Sequence, residues 1–211
     1  MRYEVIHGDC LQEMARMEVG SVDAVVTDPP YGMNNDCDYT RFAGGKKWSQ
    51  IRGDDAPFDP TPWLEYPNVI LWGYNHMARL LPVGIVLVWC KRGANPSPLT
   101  SDAELGWQKG GSGGVRVFHH MWDGFRRQSQ RGPSLHPTEK PVALMKWCIE
   151  RVTQPGDLVF DPYMGSGATG VAAIELGRRF VGCEIDEGYF ETARQRIESA
   201  DAQQRLVLED T

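Results

Sequence analysis

Apolar positions along this chain fall into two kinds of run, separated by prolines, glycines and polar clusters. Short continuous runs rich in β-branched or bulky residues read as strands: Tyr3 to Ile6, Val22 to Thr27, Val69 to Trp72, Ile85 to Trp89, Asp157 to Phe160 and Arg179 to Cys183, with Val115 to Met121 as a more alternating seventh. Between them lie stretches with helical spacing. Leu11 to Met17 places Leu11, Met14 and Ala15 on one side, and Asn75 to Leu81 is stopped by Pro82. Val142, Met145, Ile149 and Val152 step by three, four and three residues, with Pro141 suited to the first turn and Thr138 to the cap. Val171 and Ile174 continue a helix to Leu176-Gly177, and the last helix, Tyr189 to Ser199, buries Phe190, Ala193 and Ile197 ahead of a polar tail. This order of strands and helices is that of a single α/β domain spanning residues 1–211.

Two stretches lack a period. Residues 33–62 are rich in Asp, Gly, Pro and basic side chains, and a loop of that length inside a compact domain is expected to work as a lid or a DNA-contacting arm. Residues 93–135 hold the breaker-rich segment Asn95 to Gly114, expected as loop, and the polar, basic segment Phe125 to Leu135. Both stretches are candidate recognition insertions.

Composition changes this picture little. The 211 residues are 41% hydrophobic and 24% charged, ordinary for a globular protein. No apolar run approaches the ~18 residues that span a bilayer, and Met1-Arg2-Tyr3-Glu4 leads straight into a strand, so no membrane association and a cytoplasmic location are expected. Five widely spaced cysteines without a CxxC pair argue against disulfides and a metal site.

Charge adds more. The net charge is −6, yet residues 115–151 carry seven basic side chains against three acids. Arg126, Arg127 and Arg131 lie there among Gln128, Ser129 and Gln130, while Arg41, Lys46 and Lys47 lie in the first loop and Lys91 ends a strand. Basic loops on an acidic body suit a phosphate-gripping face.

The strongest chemistry sits where strands stop. Val22 to Thr27 ends in Asp28-Pro29-Pro30-Tyr31, and neither proline can donate to a ladder. A carboxylate, a carbonyl held by a stiff ring and a flat aromatic face suit a planar exocyclic amine, such as that of adenine or cytosine. Later, Asp161-Pro162-Tyr163-Met164-Gly165-Ser166-Gly167-Ala168-Thr169-Gly170 places glycines at G-x-G-x-x-G after a strand and before a helix, and the following strand ends in Glu184-Ile185-Asp186. A dinucleotide site uses the same spacing. Asp161, however, would repel a pyrophosphate and attract an ammonium. A ligand with a ribose, an amino acid and no phosphate is S-adenosylmethionine.

With these motifs in view, the chain resembles the β type of amino-group DNA methyltransferases. The likeness rests on Gly8-Asp9-Cys10, Asp28 to Gly32, His136-Pro137-Thr138-Glu139-Lys140-Pro141, Asp161 to Gly170 and Gly177 to Asp186, which follow one another in the family's order. The resemblance implies a doubly wound, mostly parallel, seven-stranded Rossmann-like sheet, circularly permuted so that the cofactor half is C-terminal. It implies catalysis by Asp28, Pro29, Pro30 and Tyr31 on a flipped base in double-stranded DNA. Asp161, Gly165 and Ser166 would hold the methionine part of the cofactor with Thr138 and Lys140, Glu184 the ribose, and Asp9 with the Cys10 backbone the adenine. His136, Met164, Gly167, Thr169, Ile185 and Asp186 complete the implied cofactor set. Asp before Pro-Pro favours adenine N6 in this family; cytosine N4, a protein amide and a catalytically silent DNA-binding subunit are the other readings. With little chain left over for recognition, either the DNA site is short and loosely read, or a second copy of the chain assists as a homodimer.

Overall fold

The computed structural model describes residues 2–18, 20–40, 47–92, 101–122, 128–129, 135–136 and 138–209. Thirteen principal elements follow in chain order: β1 (Tyr3–His7), α1 (Cys10–Met14), β2 (Ala24–Thr27), β3 (Asn68–Trp72), α2 (Tyr74–Met77), β4 (Gly84–Cys90), β5 (Ala103–Lys109), β6 (Val115–His119), α3 (Val142–Val152), β7 (Leu158–Asp161), α4 (Ala168–Glu175), β8 (Arg179–Glu184) and α5 (Glu187–Glu209). The strands form one sheet in the order β1-β8-β7-β2-β3-β5-β4-β6. Every neighbouring pair is parallel except the two that β5 makes, with β3 and β4.

Strand periodicity sorts the core into two layers. Val26 on β2, Ile70 and Trp72 on β3 and Val159 on β7 face α3, α4 and α5, whereas Val25, Val69, Leu71 and Phe160 face the side of α1 and α2. All of these side chains are buried, and each contributes about 1.5–3 kcal/mol of burial free energy. With both faces covered, the central strands carry continuous apolar runs. Among the described residues no helix is long and apolar enough to cross a membrane, and the five cysteines are free thiols.

The fold is mixed α/β, with helices on both faces of a large sheet. Three expectations change. The sheet has eight strands among the described residues, not seven, because Ala103–Lys109, inside the stretch expected as loop, is a strand wedged between β3 and β4. Its signal is weak in sequence because Gly106 sits at its centre; there the missing side chain leaves room for the Trp72 ring, which a Cβ would approach to 3.2 Å. The last helix runs on to Glu209, since 200–209 contains no breaker and buried Asp201 is paired with Arg2 and Arg205. Thr138 does not cap α3: Pro141 is the N-cap residue, and Thr138 instead hydrogen-bonds His136.

Candidate active site

The parallel strands β1, β8, β7 and β2 end side by side, and their C-terminal ends frame a cavity of about 400 Å³, in the size range of small-molecule sites. From β2 the chain leads to β3 on one side, and from β7 to β8 on the other. That divergence is where open α/β sheets bind ligands.

Asp28 follows β2 directly and is the hub of the cavity's catalytic half. Its Oδ1 accepts a hydrogen bond from the Tyr31 phenol and its Oδ2 one from the Lys140 ammonium. Lys140 also pairs with Glu104 Oε2 at 3.1 Å, and Glu104 Oε1 accepts from Lys91 at 2.7 Å. Two carboxylates thus alternate with two ammonium groups in a partly buried row. Burial drives the Asp28 pKa up and Lys140 draws it back; Glu104, partly buried but held between two cations, is lowered to about 2. Lys140 is pushed well above its usual range by the two carboxylates, in spite of its burial. It therefore stays charged.

The Tyr31 ring is braced from behind. His76 stacks on it with centroids 4.9 Å apart and planes 11° apart. Gly73, at φ 81°, gives the ring its space: a Cβ there would stand 2.1 Å from it.

The other half of the cavity is built at the end of β7. Asp161, 2% exposed, accepts from Thr27 Oγ1 at 2.6 Å and from the Tyr163 N–H at 3.1 Å. Its partners are neutral, and burial raises its pKa to about 6. The three glycines of the motif do different work. Gly165, at φ 51°, faces His136 with nothing nearer than 3.8 Å to a Cβ, whereas a Cβ on Gly167 would strike Ala193 at 2.9 Å and one on Gly170 would strike Ile197 at 2.4 Å. The first keeps backbone open to the cavity; the other two let α4 pack against α5.

Glu184 ties this half together, accepting from Gly165 N at 2.9 Å and Asp186 N at 2.8 Å. His136 packs edge-on to Tyr189 with centroids 4.3 Å apart, and burial lowers its pKa to about 4, so it is neutral. Glu139 reaches Arg196 of α5 at 3.2 Å, and Arg196 donates to the Ser166 carbonyl and hydroxyl. The segment around His136 is thereby fastened to the glycine turn. Phe58, Trp63 and Tyr163 meet edge to face and line an aromatic wall.

Asp28, Pro29, Pro30 and Tyr31, and the cofactor candidates Asp9, Cys10, His136, Thr138, Lys140, Asp161, Met164, Gly165, Ser166, Thr169, Glu184, Ile185 and Asp186, all line this one cavity. Gly167 does not. Several have structural duties as well. Asp9 caps α1 and Asp186 caps the start of α5 through the N–H groups of Gly188 and Tyr189. The Cys10 thiol, raised to about 11 by burial, is not a nucleophile. Lys140 sits on Asp28, in the catalytic half.

Of the basic residues picked for DNA, Lys47 is exposed and 4.0 Å from Asp38, while Lys91 is engaged by Glu104. Arg41, Lys46, Arg126, Arg127 and Arg131 lie outside the described residues. Four residues that matter to this geometry went unselected: Asp54, His76, Glu104 and Arg196. Each acts across a long sequence separation on a residue inside a motif, which periodicity cannot reveal.

Comparison with known proteins agrees with this geometry. The family described as DNA methylase, of the N6/N4 kind, matches residues 100–195. The Type II methyltransferase M2.DpnII of Streptococcus pneumoniae is 26% identical over 92% of this chain and 89% of its own length. The Type II methyltransferase M2.LlaDCHI of Lactococcus lactis subsp. cremoris is 24% identical over 92% and 88%. Among solved structures, the M1.HpyAVI–SAM complex superposes with a TM-score of 0.61 at 21% identity, covering 92% of this chain and 98% of that one. The cytosine-N4-specific PvuII DNA methyltransferase gives 0.64 at 16% identity, covering 93% and 86%. The chain is thus similar to DNA methylases over residues 100–195 and to Type II methyltransferases over most of its length, and it shares the fold of the two solved structures.

Proposed function

We propose that this protein methylates the exocyclic amine of a base flipped out of double-stranded DNA, with S-adenosylmethionine as methyl donor and adenine N6 as the target. The observation that carries this reading is that the amine-accepting turn after β2 and the glycine turn after β7 open into one cavity from adjacent strands. The residues fit the cofactor. Asp161 offers a buried carboxylate for an ammonium, Gly165 an unobstructed stretch of backbone, Glu184 a carboxylate for a diol, and Phe58 with Tyr163 an apolar wall.

When bound, the cofactor supplies an electrophilic methyl group. The chain's own residues do the rest. Tyr31, its ring held against His76, gives the flipped base a face to stack on, which offsets part of the few kcal/mol lost on unstacking from the duplex. Asp28 and the Pro29 carbonyl accept the two amine hydrogens, so the nitrogen lone pair is turned out of the base plane and aimed. Burial raises the Asp28 pKa, and Lys140, flanked by Glu104, draws it back down. Catalysis is then positioning and electrostatics, with no covalent intermediate. The Asp at 28 favours adenine; cytosine N4 is the second reading, supported by the likeness to the PvuII fold.

The test is to incubate the protein with labelled S-adenosylmethionine and unmethylated duplex DNA, digest to nucleosides and identify the labelled species. N6-methyladenine is expected. N4-methylcytosine would keep the chemistry and change the base. Bound but unconsumed cofactor would move the reading to a silent DNA-binding subunit.

A further inference from the structure

The turn that carries Asp28 and Tyr31 receives little support from the sheet. Its strand ends at Thr27, and Pro29 and Pro30 have no N–H to donate. Beyond them, five successive backbone N–H groups converge on a single residue, Asp54. Its Oδ1 accepts from Tyr31 at 3.1 Å, Gly32 at 2.9 Å and Met33 at 3.1 Å; its Oδ2 accepts from Asn35 at 2.9 Å; and its main-chain carbonyl accepts from Asn34 at 2.7 Å.

Backbone shape makes this convergence possible. Gly32 at φ 76° and Asn34 at φ 49° are both left-handed, which turns neighbouring N–H groups to one side and forms a concave nest for an anion. Here the anion is a side chain of the same protein. Asp54 is 3% exposed, and a buried carboxylate is tolerable only when its oxygens are fully hydrogen-bonded. The surrounding segment leans on the same turn: a Cβ at Gly32 would stand 2.4 Å from the Ala56 carbonyl. Residues 51–54 and 56–58 also line the cavity.

We propose that Asp54 is the positioning residue of the catalytic turn, fixing the backbone from which Tyr31 presents its ring and its phenol to Asp28. This inference rests on the methyltransferase reading given above. Tyr31 is held at both ends, by Asp54 at its N–H and by Asp28 at its hydroxyl, so the angle of the ring and the direction of the Asp28 carboxylate are set together. The glycine turn has no contact with Asp54 among the hydrogen bonds described and is braced by Glu184 and Arg196 instead. Loss of the Asp54 carboxylate therefore disturbs transfer and leaves the cofactor half in place.

The experiment compares wild type, Asp54→Asn and Asp54→Ala for S-adenosylmethionine affinity and for turnover on unmethylated duplex DNA, read as methylated nucleoside. Asp54→Asn keeps an acceptor for Tyr31 to Met33 and loses the one for Asn35; Asp54→Ala loses both side-chain acceptors and the four hydrogen bonds they take. Expected are kcat losses of about tenfold and about 100-fold, since a misplacement on the order of 1 Å is enough for the latter, with cofactor affinity within about threefold of wild type throughout. A purely structural role would lower cofactor affinity and rate together. Turnover of both variants within about threefold of wild type, or an affinity loss in step with the rate, overturns the proposal. Should Asp54→Ala fail to fold, Asp54→Asn decides by the same two readouts. A wild-type protein that methylates no base sinks the underlying reaction instead, and the proposal with it.

Discussion

The cavity is walled by two turns of nearly the same local sequence on adjacent parallel strands: Asp28-Pro29-Pro30-Tyr31-Gly32 after β2 and Asp161-Pro162-Tyr163-Met164-Gly165 after β7. Each begins with a buried or half-buried aspartate, interrupts the ladder with proline and places a tyrosine two or three residues on. Their partners differ. Asp28 meets an ammonium and a phenol and belongs to a row of alternating charges, whereas Asp161 meets a threonine hydroxyl and a backbone N–H. Tyr31 lies flat on His76 beside the cavity; Tyr163 stands edge-on in an aromatic wall. The first turn is held from outside by Asp54, and the second by a helix and by Glu184. One sequence pattern therefore yields two kinds of carboxylate, and the surroundings decide which. The first is a fixed acceptor with a dedicated counter-charge, suited to an amine. The second has no dedicated cation among the described residues, and leaves its charge for a ligand to neutralise.

The substitution that strikes hardest at this division is Asp28→Ala. Methyl transfer should fall by about 1,000-fold while S-adenosylmethionine affinity stays within about threefold, as read by nucleoside analysis beside an equilibrium titration. Asp28→Asn controls for the Lys140 ammonium that the alanine leaves with Glu104 as its carboxylate partner. An equal loss of cofactor affinity would mean the two turns are not separate. The converse substitution, Asp161→Asn, should weaken cofactor binding by about 10- to 100-fold, the value of a hydrogen bond to a charged group. In wild type, binding should fall off as pH drops through about 6, where Asp161 takes up a proton and loses its charge. In the asparagine variant that pH dependence should be gone.

The two turns differed in how far the sequence exposed them. Asp28 and Asp161 could be picked out because apolar strands, prolines and glycines punctuate them within ten residues. So could the strands beneath them, whose side chains are sorted by a period of two. What escaped is what reaches a turn from elsewhere. Glu104 acts on Lys140 from β5, a strand masked by its central glycine; Asp54 acts from an aperiodic segment; Arg196 acts on Ser166 from a helix whose own pattern explains only its buried face. Local pattern encodes local structure, and these contacts depend on which strands lie side by side. The same blindness gave Asp9 and Asp186 only a ligand role, when both also cap helices.

A milder change tests the counter-charge on the catalytic side. Lys140→Met removes the cation that draws the Asp28 pKa down and leaves the burial that pushes it up. A carboxylate must be ionised to accept both its hydrogen bonds, so turnover rises with pH through the Asp28 pKa, and the acidic limb of the pH–rate profile should move to higher pH in this variant. At neutral pH the loss should be about tenfold, as for a positioned acid–base group caught largely in the wrong protonation state, and it should shrink as pH is raised. A loss independent of pH would mean that Lys140 serves packing and not charge.

The smallest effect expected concerns the support behind Tyr31. His76 contributes an aromatic face and no group to the cavity lining, so its removal should affect base stacking alone. An aromatic pair of this kind is worth about 0.5–1.5 kcal/mol beyond the area it buries, so His76→Ala should raise KM for DNA by about two- to tenfold with cofactor affinity unchanged. Gly73, packed against the ring with no side chain of its own, cannot fill the gap that the imidazole leaves. The freed ring would therefore lean into the space left by the imidazole and away from the base. His76→Phe restores a flat face without the ring nitrogens and should bring KM back close to wild type. If phenylalanine fails to rescue while alanine is impaired, it is the imidazole's polarity that matters, and Tyr31 is held by more than stacking.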